Sequence, residues 1–108
     1  MAIASPMTLI SAQTGAANSA VYTIGGPNGI PYPCVITSTA NFGAGEYAKV
    51  QRTIDGGSNF VDEKQDGDTV QLDPDNTDIK VNGPTIIRVA KSATSASIGV
   101  VLFDKRLV

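Results

Sequence analysis

The chain has no histidine, no tryptophan and a single cysteine in 108 residues. Each absence removes a class of chemistry. Histidine is the usual general base near neutral pH and the commonest zinc ligand, so Ser-His-Asp and Cys-His catalysis and most transition-metal sites fall away together. Cys34 has no partner for an internal disulfide. Flanked by Pro33 and Val35, it reads as a small apolar packing group. No run approaches the ~18 apolar residues of a spanning helix. The first ten residues, MAIASPMTLI, lack the basic and long apolar regions of a secretory signal. A soluble protein made in the cytoplasm, away from the membrane, is therefore expected. Direct nucleic-acid binding is disfavoured too. It asks for a basic patch with aromatics nearby, whereas here eight bases are scattered singly and aromatics number six.

The most telling absence is positional. Residues 1–45 contain no Asp, Glu, Lys or Arg, where average usage would give about ten. Small residues (Ala, Ser, Thr, Asn, Gly) fill the segment, with prolines at 6, 27, 31 and 33. Either these residues face a modest amount of solvent, or other protein covers them. Interface cores are depleted of charge, lysine above all, and the second reading is the working expectation. It makes residues 1–18 an N-terminal arm and first strand used for assembly, ahead of a domain over 19–108. It nominates Ile3, Pro6, Met7, Leu9, Ile10, Ile30, Tyr32 and Phe42 as interface residues. Removing residues 1–12 is then expected to abolish binding and leave a folded domain.

The middle of the chain is the reverse. Residues 55–78 hold eight of the ten acids, offset only by Lys64. Such a stretch belongs at a solvated end of the molecule.

Secondary structure is read from β-branched runs cut by turn residues; no helical period persists for three turns. The expected strands are 7–12, 19–24, 34–39, 46–54, 59–63, 68–72, 77–81, 85–91 and 97–104. Eight or nine short antiparallel strands imply an all-β domain, a single sandwich of Ig-like or jelly-roll type. In 46–54, Ala48, Val50 and Ile54 share one face. Arg52 interrupts that set, which places it at the rim or beside a carboxylate. In 98–103, IGVVLF, both faces are apolar, so both are expected to be covered. GGPNGIPYP (25–33) is a proline-stiffened connection. It lacks the following helix and the Lys-Ser/Thr of a phosphate loop. Asn82-Gly83 resembles a hairpin turn, but Pro84 has no N–H to close it, which favours a crossing between sheets. SATSAS (92–97) reads as a hairpin loop.

Three places invite a chemical reading. TIDGGSNF (53–60) resembles the Asp-box hairpin of sialidases and many other β proteins, with Thr53, Asp55, Gly57, Asn59 and Phe60 in the matching places. The resemblance implies that Asp55 accepts backbone N–H bonds, Gly57 takes φ > 0 and Phe60 plugs the core. Turn chemistry alone assigns much the same roles. A single copy denotes a hairpin and no activity. DGDTVQLDPDNTD (66–78) offers hard oxygen ligands for calcium, with Asp73, Asp75 and Asp78 as candidates. The EF-hand spacing fails, and polar turns are the plainer account. Paired carboxylates for glycoside hydrolysis need an apolar pocket to raise one pKa, and nothing in this turn-rich acidic sequence supplies one. No enzyme activity, cofactor or metal is expected.

The uncharged Ala/Ser/Thr-rich start, the TIDGGSNF hairpin and the terminal GPTIIRVAKSATSASIGVVLF together resemble small β-sandwich virion proteins of tailed bacteriophages. They look like the capsid decoration (cement) or minor tail proteins of that group, the decoration type being the leading one. That resemblance implies a non-enzymatic structural protein on the head surface. Its partner would be the major capsid protein or another virion protein, and it would work as a homo-oligomer, a trimer being favoured. The alternative is a tail, fibre or adhesin module binding host-surface glycan. That reading needs exposed rings among Tyr22, Tyr32, Phe42 and Tyr47.

Overall fold

β-Branched runs punctuated by turn residues give strands throughout. The computed structural model describes residues 7–104 except 28, 31, 54, 56, 57, 82 and 83, and none of the described residues is helical. Among the described residues twelve strands run in chain order: β1 Met7–Gln13, β2 Ala17–Asn18, β3 Tyr22–Ile24, β4 Cys34–Ser38, β5 Ala48–Thr53, β6 Phe60–Asp62, β7 Lys64–Gln65, β8 Asp68–Thr69, β9 Gln71–Leu72, β10 Asp78–Val81, β11 Thr85–Lys91 and β12 Ile98–Asp104. Every pairing between them is antiparallel.

The strands form two packed sheets and a small hairpin. The first sheet has the order β1-β12-β4-β10. In the second, β11 pairs with β2 and β3 on one side and β5 on the other, and β5 also pairs with β6 and β9. β7 and β8 make a separate hairpin. Its two-residue turn, Asp66-Gly67, has φ of 54° and 87°. Positive φ at both positions marks the turn type whose twist matches flanking strands.

The alternation of a pleated strand decides which residues meet inside. Met7, Leu102, Ile36 and Ile79 lie in one row across all four strands of the first sheet. Val50, Val89 and Ile87 answer from the second sheet, with Ala48 and Leu72. Ile36, Leu72, Ile87, Ile98, Val100 and Leu102 are fully buried. The radius of gyration, 13.2 Å, is that of one domain of this length.

β1 crowds β12 at one point, Gly99. Its pairing slips between Thr8 and Ile10 and again between Ile10 and Gln13. At the slipped stretch its backbone folds over Gly99, where a Cβ would stand 2.9 Å from the Ile10 carbonyl oxygen and 3.0 Å from the Ala12 nitrogen. Only glycine leaves room for that approach.

The sandwich is the expected architecture, and two local expectations change. Residues 7–18 are part of the sandwich: β1 is an edge strand whose Leu9 and Ile10 enter the core. Removing 1–12 would strip an edge and take Leu9 and Ile10 out of the core, so a destabilised remainder is the expected outcome. The 92–97 loop is no hairpin either, because β11 and β12 belong to different sheets and the loop arches between them. The β10–β11 connection does pass from sheet to sheet, although Asn82 and Gly83 themselves lie outside the described residues.

Candidate functional site

The charge map of the sequence becomes a map of surfaces once the register is fixed. On the outer side of the first sheet, Thr8, Val101 and Thr37 form one row and Phe103 and Val35 the next. Three neighbouring strands thus present no charge here. Val35 is only 5% exposed although it faces away from the core; Phe103 lies opposite it on one side and Lys80 on the other. The expectation that both faces of 98–103 are covered is met on the inner side, where Ile98, Val100 and Leu102 are sealed. On the outer side Val101 and Phe103 are half-covered. The uncharged patch ends at β10, where Asp78 and Lys80 continue the rows.

The second sheet's outer side is the opposite in character. Arg88 Nε donates to Gln51 Oε1 at 2.8 Å, and Gln51 Nε2 donates to Asp62 Oδ1 at 2.9 Å. Lys49 Nζ reaches Asp62 Oδ2 at 3.3 Å. Rings bracket this ladder. The Arg88 guanidinium stands 4.3 Å from the Phe60 ring centre, and the Lys49 ammonium 5.0 Å from that of Tyr47. Cross-strand pairs of this kind each contribute a few tenths of a kcal/mol, up to about 1. The Gln51 and Lys49 contacts hold the Asp62 carboxyl below the usual carboxylate range.

Phe60 is therefore not the core plug that the hairpin resemblance implied. It pairs with Thr53, on the outward set of β5, and Val61 opposite Arg52 takes the inward place. Asp55 does act as the turn's acceptor. Its Oδ1 takes N–H bonds from Ser58 at 3.0 Å and Asn59 at 2.7 Å, and its Oδ2 takes one from Asn59 Nδ2 at 2.6 Å. These bonds, those from Asn59 first, lower its pKa. Gly57 lies outside the described residues. Arg52 sits exposed at the rim, with Nε 3.4 Å from Glu63 Oε1.

Asp73 repeats the device of Asp55. Its Oδ1 accepts from the Asp75 and Asn76 backbone N–H groups at 3.0 and 2.9 Å, and Gln71 Nε2 donates to Oδ2 at 3.0 Å. Its pKa is lowered, Gln71 being the main cause. The oxygens considered for calcium thus serve their own loop. Among the described residues no three Cys, Asp or Glu side chains gather as metal ligands.

The residues nominated for an interface separate into two groups. Leu9, Ile10 and Phe42 are core residues, and Met7 and Ile30 pack partly buried against that core. Leu9, Ile10 and Phe42 are used by the chain itself, which corrects their assignment to a partner, while Met7 and Ile30 keep part of their surface open. Tyr32 is 40% exposed. Ile3 and Pro6 lie outside the described residues. Of the rings considered for glycan contact, Phe42 is buried, and Tyr22, which packs partly on the core, Tyr32 and Tyr47 keep part of their surface open.

One residue escaped the sequence reading. Lys91 is 3% exposed. Its ammonium donates to the Gly15 carbonyl at 2.9 Å, the Ser92 carbonyl at 3.1 Å and Thr94 Oγ1 at 3.1 Å. Burial pushes its pKa below the ordinary lysine value, while the Glu46 carboxylate pulls it back up. Glu46 in turn accepts N–H bonds from Gly43 at 2.8 Å and Ser95 at 2.9 Å, which lower its own pKa. Lys91 and Glu46 tie the loops at this end of the sandwich together. The signal was present in the alternation of β11: Thr85, Ile87 and Val89 point inward, and Lys91 has the same parity.

Comparison with known protein families, curated proteins and solved structures finds no match to this chain.

Along the open side of the sandwich, between β10 and the β7–β8 hairpin, runs a cleft of about 730 Å³. It adjoins a second hollow of about 360 Å³ that reaches Val50 and Ile87 between the sheets. Four aspartates (66, 68, 73 and 78) line the larger cleft against one lysine, Lys80.

Proposed function

We propose that this protein is a non-enzymatic virion structural protein that decorates a phage capsid and stabilises it by protein–protein contact. One observation carries the reading: β1, β12 and β4 lie side by side and turn an uncharged outer face, Thr8, Val101, Thr37, Phe103 and Val35, away from the core. Charge-poor, partly apolar surface of this kind suits a contact that must exclude water. The second sheet, with its ladder of charged and amide side chains, suits solvent. Hydrogen bonds lower the carboxyl pKa values of Glu46, Asp55, Asp62 and Asp73. That is the wrong direction for a general acid. Several copies bound together, with a trimer at a symmetry axis as the favoured form, would multiply modest individual contacts by avidity.

The test is co-sedimentation with shells assembled from the major capsid protein of the same genome. Saturable binding that raises the temperature at which the shells rupture is expected. Thr8→Glu and Val101→Glu should each abolish it while leaving the melting curve of the free protein nearly unchanged. Shells that neither bind the protein nor gain stability would overturn the proposal.

A further inference from the structure

We propose that the free edge of β10 is a docking site for an extended peptide segment of a partner, one that alternates apolar and basic residues. The site stands on the edge and the cleft, not on the capsid reading.

Among the described residues β10 pairs only with β4. In an antiparallel ladder alternate residues turn their N–H and C=O groups away from the partner strand. About half the backbone groups of Asp78–Val81 therefore face the cleft with no strand to take them. An edge in this state is a template for strand addition. The other edge of the same sheet is unlike it: β1 slips register twice, and irregularities of this kind twist an edge out of pairing. The β10 register, from Asp78 opposite Thr37 to Val81 opposite Cys34, is unbroken.

The cleft supplies what a guest strand needs besides backbone. A strand beside β10 would send alternate side chains between the sheets, into the hollow whose apolar lining is Val50, Val70, Ile79, Val81 and Ile87 and whose polar lining includes Glu63, Lys64, Gln65 and Lys80. Apolar guest residues fit there. Across the cleft stand Asp66 and Asp68 of the β7–β8 hairpin, with Asp78 at the β10 side. The net excess of acids in the cleft favours Lys or Arg at the remaining guest positions and opposes an acidic guest. Lys80 and Asp78 keep the edge from pairing with a second copy of itself indiscriminately, because the occupant must match both charges and hollow.

The test uses the free protein and three capped hexapeptides: alternating Val/Lys, alternating Val/Glu, and Val/Lys with a central proline. Amide hydrogen exchange and nitrogen–proton correlation spectra report the site. The Val/Lys peptide should protect amides within Asp78–Val81 and shift Ile79 and Val70, with a dissociation constant of about 100 µM. The Val/Glu and proline peptides should bind at least about tenfold more weakly. Asp66→Asn with Asp68→Asn, on an exposed hairpin, should weaken binding several-fold and reduce its salt dependence. Lys80→Pro should abolish it, and should that variant fail to fold, the Asp66 and Asp68 pair decides. Absence of protection in β10, equal binding of all three peptides, or protection at β1 would each overturn the proposal. None of these outcomes bears on shell binding, and shell binding alone does not establish them.

Discussion

Replacing Lys91 with methionine sets two large effects against each other. Burying an ammonium costs several kcal/mol in desolvation, and methionine removes that cost while filling similar space. Against this, three oxygens lose their donor. A hydrogen bond to a charged group contributes about 1.5–3 kcal/mol net. The three acceptors are not equally exposed. Gly15 is exposed and Ser92 half-exposed, so water can replace much of what they lose, whereas Thr94 is buried. The Thr94 hydroxyl still donates to the Ala96 carbonyl at 2.7 Å, but it loses the ammonium that donates to it. Loss of about 2 kcal/mol is the expected result, with about 4 as an upper bound. Urea unfolding should show it as a midpoint lower by about 1–2 M. Thr94→Val alone should cost less, and the double variant should lose less than the sum of the two. The pH dependence gives an independent check. The native pKa of Lys91 is lowered from the ordinary 10.5, so in the window just below that value the unfolded chain binds the proton more tightly. Its contribution therefore makes stability rise with pH through that window, and Lys91→Met should remove that rise. A methionine variant as stable as the parent would refute the reasoning, because the relieved desolvation would then fully offset the three lost bonds.

Gly99→Ala places a Cβ against the β1 backbone at 2.9 Å and should cost about 1–3 kcal/mol by thermal melting. Gly99→Val should cost more. Deleting residues 1–12 removes Leu9 and Ile10 from the core, each contributing about 1.5–3 kcal/mol; calorimetry should show the cooperative transition weakened or lost. The pKa values of Glu46, Asp55, Asp62 and Asp73 are all lowered. Their contribution is complete above the ordinary carboxylate range and is lost as pH falls through the lowered native values. Melting temperature should therefore drop steeply below about pH 4, and less steeply in Asp55→Asn combined with Asp73→Asn.

The strands were legible because the signals were local. TIIRVAK between Pro84 and SATSAS gave β11 over its full observed range, and β4, β10 and β12 began or ended within a residue of expectation. The division into two sheets was not legible, since it depends on which strands pair across long stretches of chain. That gap explains the error at 92–97, where a loop of small residues serves a hairpin or an arch equally well. It also explains the interface assignments. Missing charge marks residues shielded from water, but Leu9, Ile10 and Phe42 are shielded by their own chain. Phe60 failed for another reason: a one-residue choice of register moves a ring from core to surface. The uncharged outer face itself emerged only when β1 and β4 were found flanking β12.

The position of β12 also sets a timetable. Among the described strands it comes last in chain order, yet it is the one that joins β1 to β4 in the middle of the first sheet. Until residues 98–104 emerge, the nascent chain carries two uncharged strands whose shared partner does not yet exist. Sheets closed by such distant pairings form slowly, and waiting apolar strands are exposed to aggregation. A ribosome stalled shortly before Ile98 should therefore hold a chain that recruits chaperones and resists completion of its fold, and the final seven residues of the sheet should release it.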